Sequence, residues 1–240
     1  MPRMIFSGVT KGFKPAMREE ASPNFDDREG PIGMLVMHYT GMPTARAAID
    51  LLKSPRAKVS SHYVVDEDGT VYQLVAEAKR AWHAGLSFWR GQRLLNDASI
   101  GIEIVNPGHS WGYRPFPPAQ LQAVLALSHG ILARHKIEAR NVVAHSDIAP
   151  NRKQDPGELF PWSWLAAHGV GLWTDAFLPS SNWQADLAAI GYDPALPLRD
   201  VLLAFQRHFL PENLTGEADA ATIARVAAMR RLVDAPGEQS

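Results

Sequence analysis

The sequence predicts an α/β protein: a central mixed β-sheet flanked by helices, followed by a small C-terminal three-helix domain. Three observations carry this expectation. Apolar runs at 32–39, 100–105 and 142–143 are short and bounded by polar or glycine-containing segments, as buried strands are. Between them lie two helical patterns, an alanine-rich one at 45–53 and a long amphipathic one at 118–136. The pattern then breaks at 169–181, with Gly169, Gly171, Pro179 and two serines, and beyond it the periodicity is helical only.

Taken in order, the first run ends in His38-Tyr39, and Pro43-Thr44 opens the helix that follows, apolar at 45, 48, 49 and 52. Residues 60–65 and 70–75 are β-branched runs joined by Glu67-Asp68-Gly69, which reads as a hairpin with glycine closing its turn. The long helix starts at Pro118 and is apolar or small at 121, 124, 125, 128, 131 and 132. The run 142–143 leads into His145, and the polar, proline-rich stretch 147–161 reads as an ordered loop. Helices are expected at 182–190, 198–209 and 218–233, a unit of roughly the minimum size that folds alone. The expected division is therefore a main domain at 1–172, a linker at 173–181 and a helical domain at 182–240, docked through the segment 173–183.

Composition excludes several classes. At 46% apolar and 20% charged residues the chain is an ordinary globular one, not a disordered one. Lys+Arg 24 against Asp+Glu 25 leaves a net charge of -1, with no basic surplus for nucleic acid or a polybasic membrane patch. Cysteine is absent, so any metal must be held by histidine and carboxylate. Residues 1–20 contain no apolar export core and no membrane span is present, so the expected location is cytoplasmic. The alternative is the periplasm or cell envelope, with an export signal trimmed away.

His38 and His145 both close apolar runs, which would carry their side chains to one edge of the sheet. Asp155 follows His145 by ten residues, in a loop able to fold back. Three N/O ligands with a fourth position left for water is the arrangement of a hydrolytic zinc. Glu103 ends the run Ile100-Gly101-Ile102, and a carboxylate there is costly to bury without a task or a partner. The remaining histidines His109, His129, His135, His168 and His208 read as surface or packing residues.

Five local words stand in order: Met37-His38-Tyr39-Thr40; Ser61-His62-Tyr63-Val64-Val65 with Asp68-Gly69-Thr70-Val71-Tyr72-Gln73; Ala81-Trp82-His83-Ala84-Gly85; Ser99-Ile100-Gly101-Ile102-Glu103; and His145-Ser146-Asp147 running on to Asp155-Pro156-Gly157. Over roughly residues 31–165 the chain resembles the zinc-dependent N-acetylmuramoyl-L-alanine amidases, which share a fold with phage lysozyme-amidases and peptidoglycan recognition proteins. The resemblance implies hydrolysis of the lactyl-amide bond between N-acetylmuramic acid and L-alanine, with Zn2+ as cofactor and muropeptides or peptidoglycan as partner. It places the metal ligands on His38, His145 and Asp155, the general base on Glu103 and an oxyanion-stabilising lysine on Lys153. His62, Trp82 and His83 are expected to shape the substrate cleft, Trp82 by stacking and His83 by hydrogen bonding. Phage relatives carry a catalytic tyrosine where Ser61 stands here, which concentrates the base role on Glu103. Beyond the linker, Gly191-Tyr192, Ala204-Phe205-Gln206-Arg207 and Gly216 with Asp219 and Thr222 resemble the three-helix peptidoglycan-binding domain.

Without an export signal, the implied substrate is soluble recycled fragments such as anhydro-muropeptides. Two alternatives stand beside it: an exported amidase remodelling intact murein, and a non-catalytic muropeptide-binding protein. Non-catalytic relatives typically lose a zinc ligand, and none is lost here. The H-E-x-x-H motif of a general metallopeptidase is absent from the chain, which argues against that reading.

Overall fold

The structure, a computed structural model, describes residues 13–235. Most of the N-terminal stretch read for an export signal, residues 1–12, lies outside them. Its centre is a six-stranded mixed sheet in the spatial order Met17–Glu19, Val71–Gln73, Tyr63–Val65, Ser99–Ile104, Met34–Tyr39, Val142–Ala144. Every neighbouring pair is parallel except the hairpin Tyr63–Val65 with Val71–Gln73. Both strands of that hairpin are shorter than the runs that announce them. Ser60 pairs outside the sheet, its N–H on the Trp82 carbonyl, and Leu74 N–H turns to the His62 carbonyl.

Strand alternation sorts side chains between the two faces. Leu35, Met37, Ile100, Ile102 and Ile104 point to one face, where they pack with Leu121, Val124, Leu125 and Ile131 of the long helix Pro118–His135. Met34, Val36 and Val143 point to the other face and pack against the C-terminal helices. Two residues on from Val36 comes His38, two on from Val143 comes His145, and Ser99, Gly101 and Glu103 share the same parity. The register sets His38 beside Glu103, Val36 beside Gly101 and Met34 beside Ser99. The polar residues of the central strands therefore gather on one face by alternation alone.

The helix Ala45–Lys53 forms as the sequence predicts. Thr44 accepts from Ala47 N–H at 3.2 Å as its N-cap, and Ala45, Ala48, Ile49 and Leu52 are its buried stripe. It packs with Val64, Leu74 and Val105 in a third apolar cluster.

The three C-terminal helices are Trp183–Ile190, Leu198–Phe209 and Ala220–Asp234. Asp219 caps the last one, accepting from Thr222 N–H at 2.8 Å. Leu187, Ile190, Tyr192, Val201, Phe205 and Phe209 of this unit form one apolar cluster with Met34, Val36, Trp89, Leu95, Val143 and Ile148 of the sheet region. Its docking thus reaches well beyond the segment 173–183. Gly191 is part of the seat: a Cβ there would lie 2.6 Å from the Trp89 indole. No helix among the described residues is long and apolar enough to cross a membrane.

Candidate active site

His38 reaches the site from the strand end, 1% exposed, and His145 from the first position of the short helix His145–Ile148, 4% exposed. The loop carrying Asp155 folds back because Ser146 N–H donates to the Asp155 carbonyl at 3.0 Å. His38 Nδ1 and His145 Nδ1 are 2.9 Å apart, and each lies 3.1 and 3.0 Å respectively from Asp155 Oδ2. One proton can bridge only one side of such a triangle. A cation facing all three atoms satisfies them together, since ligand atoms around a tetrahedral zinc with bonds of 2.0–2.1 Å lie about 3.3 Å apart. The group His38, His145 and Asp155 can hold a metal ion.

The electrostatics fit a site of this kind. Burial, together with the neighbouring His145, lowers His38 to about 4, so the ring is neutral and its lone pair free near pH 7. Burial alone would raise the Asp155 carboxyl, but His145 and His38 outweigh it and hold the group ionised, well below the ordinary range. His145 Nε2 faces the Ala84 carbonyl at 3.4 Å, which assigns its proton to Nε2 and leaves the Nδ1 lone pair free.

Above this triangle opens a cleft of about 400 Å³, lined by Glu103, Lys153, Trp82 and Tyr39 among others. Glu103 is partly buried, and its Oε2 is shut off from solvent with no hydrogen-bond partner. Burial and the nearby Asp155 charge raise its carboxyl well above the ordinary value, with Lys153 opposing them. Trp82 is half-buried in the cleft wall, its indole N–H donating to Asp26 Oδ2 at 2.6 Å. Ser61, at the position where phage relatives hold tyrosine, is fully buried and donates to the Gly101 carbonyl at 2.8 Å.

Two of the expected substrate contacts are spent on the protein itself. His62 is fully buried beneath the site. It accepts from Gly101 N–H at 3.0 Å and donates from Nε2 to the Lys79 carbonyl at 3.1 Å, and burial lowers it to about 3. His83 touches the cleft wall, but its Nδ1 faces His38 Nε2 at 3.0 Å and its Nε2 faces Ser99 Oγ at 3.2 Å. Neither ring keeps a nitrogen for a substrate. Ser99 and Gly101 also belong to the site, and their sequence signal is the alternation Ser99, Gly101, Glu103 against Ile100, Ile102, Ile104.

A parallel-centred mixed sheet with two imidazoles and one carboxylate converging near the strand ends, able to hold a metal ion beside a partly buried glutamate, is the site of a hydrolase class. This chain belongs to the N-acetylmuramoyl-L-alanine amidase family, which matches residues 28–158. It is 43% identical over 222 residues to the N-acetylmuramoyl-L-alanine amidase AmiD of Escherichia coli, covering 80% of this chain and 79% of that protein. It is 33% identical over 174 residues to the 1,6-anhydro-N-acetylmuramyl-L-alanine amidase AmpD of Haemophilus influenzae, covering 64% of this chain and 92% of that one. The solved complex of the E. coli AmiD with anhydro-N-acetylmuramic acid-L-Ala-D-gamma-Glu-L-Lys superposes with a TM-score of 0.76 at 38% identity, over 87% of this chain and 98% of that one.

Proposed function

We propose that this chain is a zinc-dependent amidase that hydrolyses the bond between the lactyl group of N-acetylmuramic acid, or its 1,6-anhydro form, and L-alanine in peptidoglycan fragments. The observation that carries this reading is the triangle of His38, His145 and Asp155 set under a cleft that holds both Glu103 and Lys153. The anhydro-muropeptide as substrate class is supported by the ligand in the E. coli relative's complex and by the name of the Haemophilus relative.

Bound by those three residues, zinc would supply Lewis acidity, lowering the pKa of a water from about 15.7 toward about 7 and polarising the amide carbonyl. The chain's own groups do the rest. Glu103, with its raised proton affinity, takes the attacking water's proton and passes it to the leaving nitrogen of L-alanine. Lys153 places its ammonium to balance the charge that develops on the carbonyl oxygen. Trp82, fixed by Asp26, offers an indole face to the sugar or the stem peptide.

Digestion of an anhydro-muramyl tripeptide, read by mass spectrometry with and without chelator, tests the reading. The expected products are the anhydro sugar acid and an intact tripeptide, with no cleavage in chelator. Cleavage within the stem, or cleavage indifferent to chelator, contradicts it.

The helical unit supports a second contact, with polymeric murein, through its resemblance to peptidoglycan-binding domains. Inactive Glu103→Gln protein should stay on insoluble murein when saturating soluble anhydro-muropeptide fills the cleft. Complete release under that competition assigns all binding to the cleft.

A further inference from the structure

His83 is 8% exposed and keeps no nitrogen for a substrate, because both ring nitrogens sit in a chain of polar atoms leading out of the triangle of His38, His145 and Asp155. Ser99 Oγ lies 2.6 Å from the Leu95 carbonyl and 3.2 Å from His83 Nε2, and His83 Nδ1 lies 3.0 Å from His38 Nε2. Read from its far end, the chain admits one arrangement of protons. A carbonyl only accepts, so the Ser99 hydroxyl donates to Leu95. The Ser99 oxygen is left as acceptor, and His83 must donate to it from Nε2. In the neutral ring Nδ1 is then bare, and His38 must donate to it from Nε2. That leaves the lone pair of His38 on Nδ1, the atom facing His145 Nδ1 and Asp155 Oδ2.

We propose that His83 and Ser99 are positioning residues that fix the tautomer of His38 and thereby keep its Nδ1 bare and aimed at the metal. The inference rests on the reading of His38, His145 and Asp155 as a metal site. The relay is built into the fold at two further points. Ser99, Gly101 and Glu103 share one strand face, and a Cβ on Gly101 would lie 2.6 Å from His83 Cγ and Nδ1, so the residue between them is kept bare for the ring. The neighbouring main chain is held as well, because Asn96 Oδ1 accepts from the N–H groups of His83 at 3.1 Å and Ala84 at 2.7 Å. His145 reaches the same end by a separate route, through the Ala84 carbonyl. The two metal-facing imidazoles are thus oriented by adjacent residues of one loop.

The test uses the zinc-loaded full chain. Nitrogen-15 NMR of the histidine rings should show His83 protonated on Nε2 and bare on Nδ1, with the slowly exchanging proton of His38 on Nε2. Zinc affinity is then measured by competition with a chelator in S99A, H83L and H83N, each checked for native circular dichroism. Outer hydrogen bonds of this kind typically govern about 10- to 100-fold in metal affinity. S99A and H83L should fall in that range, while H83N, whose side-chain oxygen can accept from His38 Nε2, should stay within about threefold of wild type. A His83 ring protonated on Nδ1, wild-type affinity in H83L, or equal losses in H83L and H83N would overturn the proposal. Absence of zinc binding in the wild type would instead overturn the metal site on which it rests.

Discussion

His208, from the second helix of the C-terminal unit, holds Asp147 of the amidase region at 2.6 Å, Nδ1 to Oδ2. Tyr192 donates to the other carboxylate oxygen at 2.7 Å, and Ala144 N–H donates to Oδ2 at 2.8 Å. Asp147 is fully buried, and two of its three donors come from the helical unit. It stands in the four-residue helix whose first residue is His145, so the C-terminal helices brace the segment that presents the His145 imidazole to His38 and Asp155.

Tyr192→Phe leaves a fully buried carboxylate one donor short and should cost about 1–3 kcal/mol. Urea denaturation of the two proteins measures it. Removing residues 182–240 should do far more, because it strips both donors and bares Met34, Val36 and Val143; we expect aggregated protein. A soluble, cooperatively folding truncation would show that the shared cluster matters little.

Glu103→Gln should reduce turnover by about 10²–10⁴ through loss of proton transfer, and Lys153→Ala by about 10²–10³ through loss of charge stabilisation. Both should keep zinc at wild-type stoichiometry, since neither belongs to the triangle. Steady-state kinetics beside metal analysis separates lost chemistry from lost metal.

Gly101→Ala should be among the most damaging single-methyl changes in the chain. The added carbon meets the His83 ring at 2.6 Å, and overpacking of this kind costs about 1–3 kcal/mol. We expect lower thermal stability together with weaker zinc retention; stability lost without any change in zinc retention would confine the effect to packing.

Metal-free protein should lose stability as pH falls from about 6.5 toward 4. His38 and His62 are neutral in the fold, lowered to about 4 and about 3 chiefly by burial, whereas unfolded histidine takes its proton near 6.5. Within that window the unfolded chain binds more protons, so acid favours unfolding. Asp155, also lowered, adds loss in the same direction at the acid end. Denaturation midpoints in chelator at pH 7.5, 6.0 and 5.0 should decline in that order.

Much of this was legible in the sequence because local chemistry and long-range fold agree. Thr44 marks a helix start as its cap, and the apolar stripe 45, 48, 49 and 52 is the buried one. His38, His145 and Asp155, which the fold brings together as a group able to hold a metal ion, could be picked out because they sit in recognisable words. What could not be read depends on pairing across the chain. The duty of His83 is fixed only when register sets Val36 beside Gly101 and Met34 beside Ser99, which brings Ser99 and His38 to one face. His208 reads alone as a packing histidine; its partner Asp147 lies 61 residues away and has no sequence signal of its own. The helical unit reads as separable by size, but the identity of its apolar partners is set by strand parity, which composition does not disclose.

The most direct measurement is native mass spectrometry of the purified chain titrated with zinc, beside His38→Ala, His145→Ala and Asp155→Ala. One tightly held zinc per wild-type chain is expected, and none held through the same buffer exchange by any of the three variants. Wild-type protein that cleaves muropeptides with no bound metal, or variants that hold zinc as tightly as wild type, would contradict it.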